Sequence, residues 1–277
     1  MRVLVLAAAS IVLLAAPGST TAAPPNRFNE NAAWAFLVRQ VDIGPRPAGS
    51  PASRQLGAIL RASVPHGRFQ AVPGGLRNVV ATVPGRNPQR FVVVGAHYDT
   101  KDLPNYVGAN DNASGVAVVR QLARTIRPRS IRPTLIFVFF DGEETPAGVD
   151  DSQILRRGLR GSKAAARRFA RADAMILLDL VGDPQLRLRR DIRSNPALWR
   201  RLRTAATRVG TTRNFPSRPI VEVLDDHVPF AQAGVPVLPL VDLEYRCWHR
   251  DCDDLPSVSK ASLDVAGETV LELLRRL

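Results

Sequence analysis

Acids and imidazoles recur in this sequence at the ends of apolar runs, where electrostatics disfavours gathering them without a cation. Phe91-Val92-Val93-Val94-Gly95 leads to His97-Tyr98-Asp99, and Thr134–Phe140 leads to Asp141-Gly142-Glu143-Glu144. Met175–Leu178 leads to Asp179, and Val235–Val241 runs into a loop that reaches Trp248-His249. Asp111 stands between the first two, in the small-residue stretch Gly108–Gly115 just before a helix. Like charges at the end of a buried strand repel unless something positive neutralises them. Taken singly, each residue has an ordinary reading: Glu143-Glu144 a solvated pair, Asp111 a helix cap, Asp179 an arginine's partner. Together His97, Asp111, Glu144, Asp179 and His249 form a nitrogen-and-oxygen ligand set. Imidazole with carboxylate suits zinc, and two metals can share a bridging carboxylate. Of the other histidines, His66 reads as a surface loop residue. His227, after Leu224-Asp225-Asp226, either supports the site by hydrogen bonds or starts a helix.

The elements that must position these residues follow from the hydrophobic period. Asn29–Val41, Ser50–Ser63, Val116–Ile126 and Ala261–Leu277 carry apolar residues at helical spacing. Arg77–Val83, Arg90–Gly95, Thr134–Phe140, Met175–Leu180 and Val235–Val241 read as strands, several of them unbroken apolar runs that suit burial on both faces. Strands alternating with helices predict an α/β three-layer sandwich with a mostly parallel or mixed central sheet. Ligands collect at the carboxyl ends of strands in such sheets, which is where the acids and histidines lie. With no repeat or low-complexity tract, residues 23–277 are expected to be a single catalytic domain.

Composition narrows the function. The 277 residues are 45% hydrophobic and 23% charged, ordinary globular values that exclude a disordered or coiled-coil chain. The formal charge of +13 is almost wholly arginine, since only Lys101, Lys163 and Lys260 are lysines. The arginines are not interleaved with aromatics, so no nucleic-acid partner is expected. Arg2, the apolar run Val3–Ala16 and the small residues up to Ala23 predict a signal peptide over 1–22, with an uncleaved anchor as the alternative. A secreted, monomeric protein with no membrane anchor after cleavage is expected, and export permits a Cys247–Cys252 disulfide bracing the His249 turn. The sequence lacks a Gly-x-Ser-x-Gly elbow, a His-Glu-x-x-His helix and a phosphate-binding Gly-Lys-Ser/Thr ending.

Six stretches, in order, resemble the secreted di-zinc exopeptidases of metallopeptidase family 28, close to their glutaminyl cyclase branch. They are Gly95–Thr100, Gly108–Gly115, Phe140–Glu144, Leu177–Gly182, Asp225–Phe230 and Cys247–Asp253. The resemblance implies the zinc exopeptidase fold and one or two zinc ions, two being favoured. Asp111 would bridge the metals, Glu144 and His249 completing one and His97 and Asp179 the other. It further implies that Asp99 orients the His97 ring, that Glu143 is the general base, and that the Asp111–Asn112 peptide is cis. Asp225, Asp226 and Trp248 would contact the substrate, a peptide with a free N-terminus.

Two reactions fit that resemblance. In an aminopeptidase, a metal-activated water cleaves the first peptide bond with Glu143 moving the proton. In a glutaminyl-peptide cyclotransferase, the α-amine attacks the glutamine side-chain amide and ammonia leaves. Lys101, Asp225-Asp226 and Trp248 lean towards the cyclase. Cys-x-His-x-x-Cys-Asp, the Gly108–Gly115 stretch and Pro239, where cyclases place a pocket histidine, lean towards hydrolysis. Hydrolysis is the main expectation. A non-catalytic binding module on the same fold would have lost ligands, and none of the five is missing.

Overall fold

The computed structural model describes residues 27–277. The expected signal peptide and the mature start near Ala23 lie outside the described residues. Helix α1 (Glu30–Ile43) starts where the Asn29 side chain accepts the Ala32 N–H at 2.9 Å. Helix α2 (Pro51–Ser63) starts where Ser50 accepts the Ser53 N–H at 3.0 Å, with proline in the first turn, where its missing donor costs nothing. Strands β1 (Arg68–Val72) and β2 (Leu76–Val83) form an antiparallel hairpin. Strand β3 (Asn87–His97) connects through helix α3 (Gly115–Thr125) to β4 (Pro133–Phe140), which runs parallel to it. The one-turn helix α4 (Ile154–Arg157), helix α5 (Arg160–Arg168) and strand β5 (Ala174–Asp179) follow. Helices α6 (Pro196–Val209) and α7 (His227–Gln232), strand β6 (Val237–Val241) and helix α8 (Lys260–Leu274) complete the chain.

The six strands form one mixed sheet in the order β1-β2-β4-β3-β5-β6, with β4, β3, β5 and β6 parallel. From β3 the chain goes first to β4 on one side and later to β5 on the other. The carboxyl end of β3 is therefore a topological switch point, the place where open α/β sheets leave a crevice. Period-two alternation divides the strand residues between two cores. Val92, Val94, Phe137, Phe139, Ile176 and Leu178 face one layer; Val93, Val138, Phe140, Met175 and Leu177 face the other.

The expected sandwich is the observed one, and each expected element is present with its ends moved by a few residues. β3 begins earlier, at Asn87, beyond a register irregularity between Asn87 and Phe91. Four elements went unrecognised in the sequence, β1, α4, α5 and α6, while α7 begins at His227, one of the two readings of that residue. In α6 the buried Leu198, Trp199, Leu202, Ala205 and Ala206 keep helical spacing, but the arginines between them mask it. Pro239, paired with Leu177 inside β6, is tolerated because β6 is an edge strand.

One contact locks the loop before α3 onto β5. The Asn112 side chain donates to the Leu178 carbonyl at 2.9 Å and accepts the Gly115 N–H at 2.8 Å. A Cβ on Gly115 would sit 2.3 Å from the Leu178 oxygen and 2.4 Å from the Asn112 side chain. Gly115→Ala is therefore expected to destabilise the protein by about 1–3 kcal/mol through overpacking. An unchanged thermal midpoint would show that this clamp gives way freely.

Candidate metal centre

The loops at the switch point are held by acids that accept backbone N–H groups. Asp253 accepts from Asn110 at 2.8 Å and from Asp111 at 3.0 Å, and the Tyr245 hydroxyl donates to it at 2.7 Å. The Tyr106 hydroxyl donates to Asp111 Oδ2 at 2.9 Å. The Asp111–Asn112 peptide is cis, as the resemblance implies. Across the sheet, Asp99 accepts N–H groups from Gly142, Glu143 and Glu144 at 2.9, 3.2 and 3.3 Å, which fixes the turn after β4. Arg46 is buried among these groups; its Nη1 donates to the carbonyls of Gln40 and Gly44. Burial lowers its pKa to about 10, against the pull of Asp253, Tyr106, Asp99 and Asp111.

The five candidate ligands converge as two groups that share Asp111. His97 Nε2 lies 3.2 Å from Asp111 Oδ1 and 3.6 Å from Asp179 Oδ1. His249 Nε2 lies 3.2 Å from Glu144 Oε1 and 3.4 Å from Asp111 Oδ2. Tetrahedral zinc with bonds near 2.0–2.2 Å has ligand-to-ligand edges of roughly 3.3–3.6 Å, close to the imidazole-to-carboxylate distances in both groups. Asp179 Oδ1 is buried with no hydrogen-bond partner, an orphaned acceptor that a cation would satisfy. Residue types, spacing and the orphaned oxygen all fit the metal. His249 and Leu180, which follows Asp179, hold left-handed backbone at φ +52° and +53°. Such geometry costs about 1–3 kcal/mol for a non-glycine residue and concentrates at functional sites.

Buried charge dominates the electrostatics. Burial pushes Glu143 well above the usual carboxylate range, with Glu144, Asp225 and Asp226 adding repulsion against the pull of His97. Burial opposes charging of both imidazoles. Contacts with Asp111 and Asp179 nevertheless raise His97 well above its ordinary value, and those with Asp111 and Glu144 carry His249 to about 10. Without a metal, protons do the neutralising.

A cavity of about 240 Å³ opens on this cluster, walled in part by Asp111, Glu143, Glu144, Asp179 and His249. Asp225 and Trp248 also line it, whereas Asp226 is fully buried and off the wall. Pro239, buried in β6, is likewise off the wall. Asp99 lies beside the His97 ring and also serves the turn after β4. Its carboxylate is 3.8 Å from His97 Nδ1 and is engaged by the β4 turn, while its own carbonyl is the ring's nearer partner at 3.1 Å. Cys247 and Cys252 are joined in a disulfide around His249. His66 is exposed, and His227 both starts α7 and lies 3.6 Å from Asp191 Oδ1. Sequence reasoning assigned no role to Tyr106, Asp151 or Asp253. Asp253 lies within a stretch that carries the resemblance; Tyr106 and Asp151 sit in loops with no periodic signal.

Protonation should tilt the stability of metal-free protein in a definite direction. Burial raises Asp141 and Asp253 to about 6 and Asp225 to about 7. Raised values mean that the fold prefers the protonated acids, so their contribution is full below pH ~4 and lost as pH climbs through 6–7. The raised imidazoles act with the same sign. Chelator-treated protein is expected to lose on the order of 1–3 kcal/mol between pH 4.5 and 7.5, read as a falling thermal midpoint. Zinc at pH 7.5 should restore it. A midpoint that rises over this range would contradict the electrostatic account.

Comparison with known proteins points the same way. The profile of Peptidase family M28 matches residues 78–274, a span that includes all five candidate ligands. Glutaminyl-peptide cyclotransferase of Drosophila melanogaster is 28% identical over 217 residues, 68% of this chain and 61% of that protein, so this chain spans about three fifths of the relative's length. The solved glutaminyl cyclase of Porphyromonas gingivalis superimposes with a TM-score of 0.80 at 27% identity, over 91% of this chain and 99% of that one. A leucine aminopeptidase precursor of Bacteroides thetaiotaomicron shares the fold, with a TM-score of 0.78 at 23% identity over 90% and 98% of the two chains. With the profile matched across both metal-capable groups, the chain belongs to Peptidase family M28.

Proposed function

We propose that this member of the family is a glutaminyl-peptide cyclotransferase that closes an N-terminal glutamine to pyroglutamate and releases ammonia. The observation that carries the reading is an asymmetry between the two ligand groups. Asp111, Glu144 and His249 all line the cavity, whereas the second group reaches it through Asp111 and Asp179 alone, His97 being 1% exposed. A metal held by the group that lines the cavity completely would leave Asp179 to bind substrate, an arrangement that suits cyclisation. The similarity to proteins named as cyclases supports the same choice over the aminopeptidase reading that leads on sequence alone.

Zinc bound by Asp111, Glu144 and His249 would polarise the glutamine side-chain carbonyl. The protein supplies the rest. Asp179 and Asp225 line the cavity beside Glu143 and are placed to hold the substrate's α-amino group. The amine nitrogen attacks the side-chain amide carbon, and the new C–N bond closes the lactam ring. Glu143 accepts a proton from the attacking amine and returns it to the departing nitrogen as the old C–N bond breaks, so ammonia leaves with no net proton consumed. Its burial raises its proton affinity above that of an ordinary carboxylate, which suits a group that takes a proton and returns it. The disulfide fits an oxidising, extracytoplasmic compartment, and peptides with a free N-terminus remain the proposed partners.

The test compares glutaminyl peptides with leucyl anilides. Ammonia from the former, abolished by chelator and restored by zinc, is the expected result; release of free leucine without ammonia would reinstate the aminopeptidase. Glu143→Gln should lower kcat by about 10²–10⁴-fold with zinc content unchanged. A variant that loses its zinc would mean that Glu143, not Glu144, is a ligand.

A further inference from the structure

The geometry points to Asp151 as the positioning residue that orients the His249 imidazole and joins the cavity wall to the metal centre. Asp151 lies in the loop between β4 and α4, and its carboxylate divides its two oxygens. Oδ2 lies 3.0 Å from His249 Nδ1. Oδ1 accepts from the Thr145 hydroxyl at 3.0 Å and pairs with Lys101. Lys101 in turn donates to Thr145 Oγ1 at 2.5 Å and lies 3.5 Å from Glu144 Oε2. A cation from the loop after β3, a hydroxyl from the turn after β4 and an imidazole from the disulfide loop thus meet on one acid.

The tautomer gives this contact its meaning. With Nδ1–H donated to Asp151, the neutral ring presents a bare Nε2 lone pair to Asp111 and Glu144, 3.4 and 3.2 Å away. Three lone-pair donors aimed at one another repel, and a cation among them turns the repulsion into ligation. A carboxylate behind a ligating imidazole fixes the ring and raises its basicity, an effect typically worth 10–100-fold in metal affinity. Asp99 does not supply this for His249; it serves the opposite group. An ion pair with a 43% exposed acid contributes little to stability by itself, so the network's value lies in where it holds His249. Asp151 and Ile154 also line the cavity, so the loop that shapes the pocket is tied to the ligand that closes the metal site.

The inference rests on zinc binding by Asp111, Glu144 and His249, whichever reaction the zinc serves. The experiment titrates zinc into metal-stripped full-length protein against a chromophoric chelator, for wild type, Asp151→Ala and Asp151→Asn. Asp151→Ala is expected to bind zinc about 10–100-fold more weakly, with the thermal midpoint of the metal-free form nearly unchanged. Asp151→Asn keeps an oxygen for Nδ1–H and should recover part of the loss. Wild-type affinity in Asp151→Ala overturns the proposal, as does failure of Asp151→Asn to recover any of it. Wild-type protein that takes up no zinc overturns the metal reading itself.

Discussion

The structure depends on keeping several carboxylates out of water and close together. Asp111, Glu143, Glu144, Asp179, Asp225 and Asp226 are all buried near the carboxyl ends of β3, β4 and β5 or in the loops facing them. Removing one such charge from water costs several kcal/mol, and neighbours of like sign add to it. His97, His249, Lys101 and Arg46 offset part of this within the protein. The remainder requires protons or metal, and the raised pKa values of Glu143 and Asp225 register that debt. A fold that tolerates such a centre must hold it rigidly.

Rigidity comes from two other acids that touch no proposed ligand atom of the cavity-facing group. Asp253 and Asp99 each accept consecutive backbone N–H groups, one set from the loop bearing Asp111, the other from the turn bearing Glu143 and Glu144. Charge-assisted bonds of this kind are shorter and stronger than neutral ones. Each leaves the side chains of its loop free to point at the cavity while the main chain is fixed beneath them. The Asn112 side chain does the same for β5 through the Leu178 carbonyl. The ligands are therefore set by backbone hydrogen bonding as much as by their own contacts.

The sandwich and the candidate ligand groups were legible because both rest on local signals. Apolar runs such as Phe91–Val94 and Thr134–Phe140 announce doubly buried strands, and acids directly after them announce the switch point. The hairpin strand β1 escaped because Arg68–Val72 is short and mostly solvent-facing. α5 escaped because its buried face is only Gly161, Ser162, Ala165 and Ala166, too small a stripe to register as hydrophobic. Tyr106 and Asp151 were invisible for a different reason: they act through partners far off in sequence, and no local spacing encodes that. The proposed choice between the two chemistries rests partly on buried His97 against the part-buried, cavity-lining His249, a difference that two isolated histidines in a sequence do not display.

The β6 edge of the sheet bears on which chains could pair with it. The Asn195 N–H donates to the Val237 carbonyl, and the Met175 N–H to the Pro236 carbonyl, so odd-numbered positions of β6 point away from β5. Pro239 therefore presents a missing donor on the outer side, and the segment around Ser194 already covers the start of that edge. An extended polypeptide laid alongside β6 would find no continuous ladder to join. Recognition by β-augmentation, which grips the middle of a chain, is thus closed off along β6.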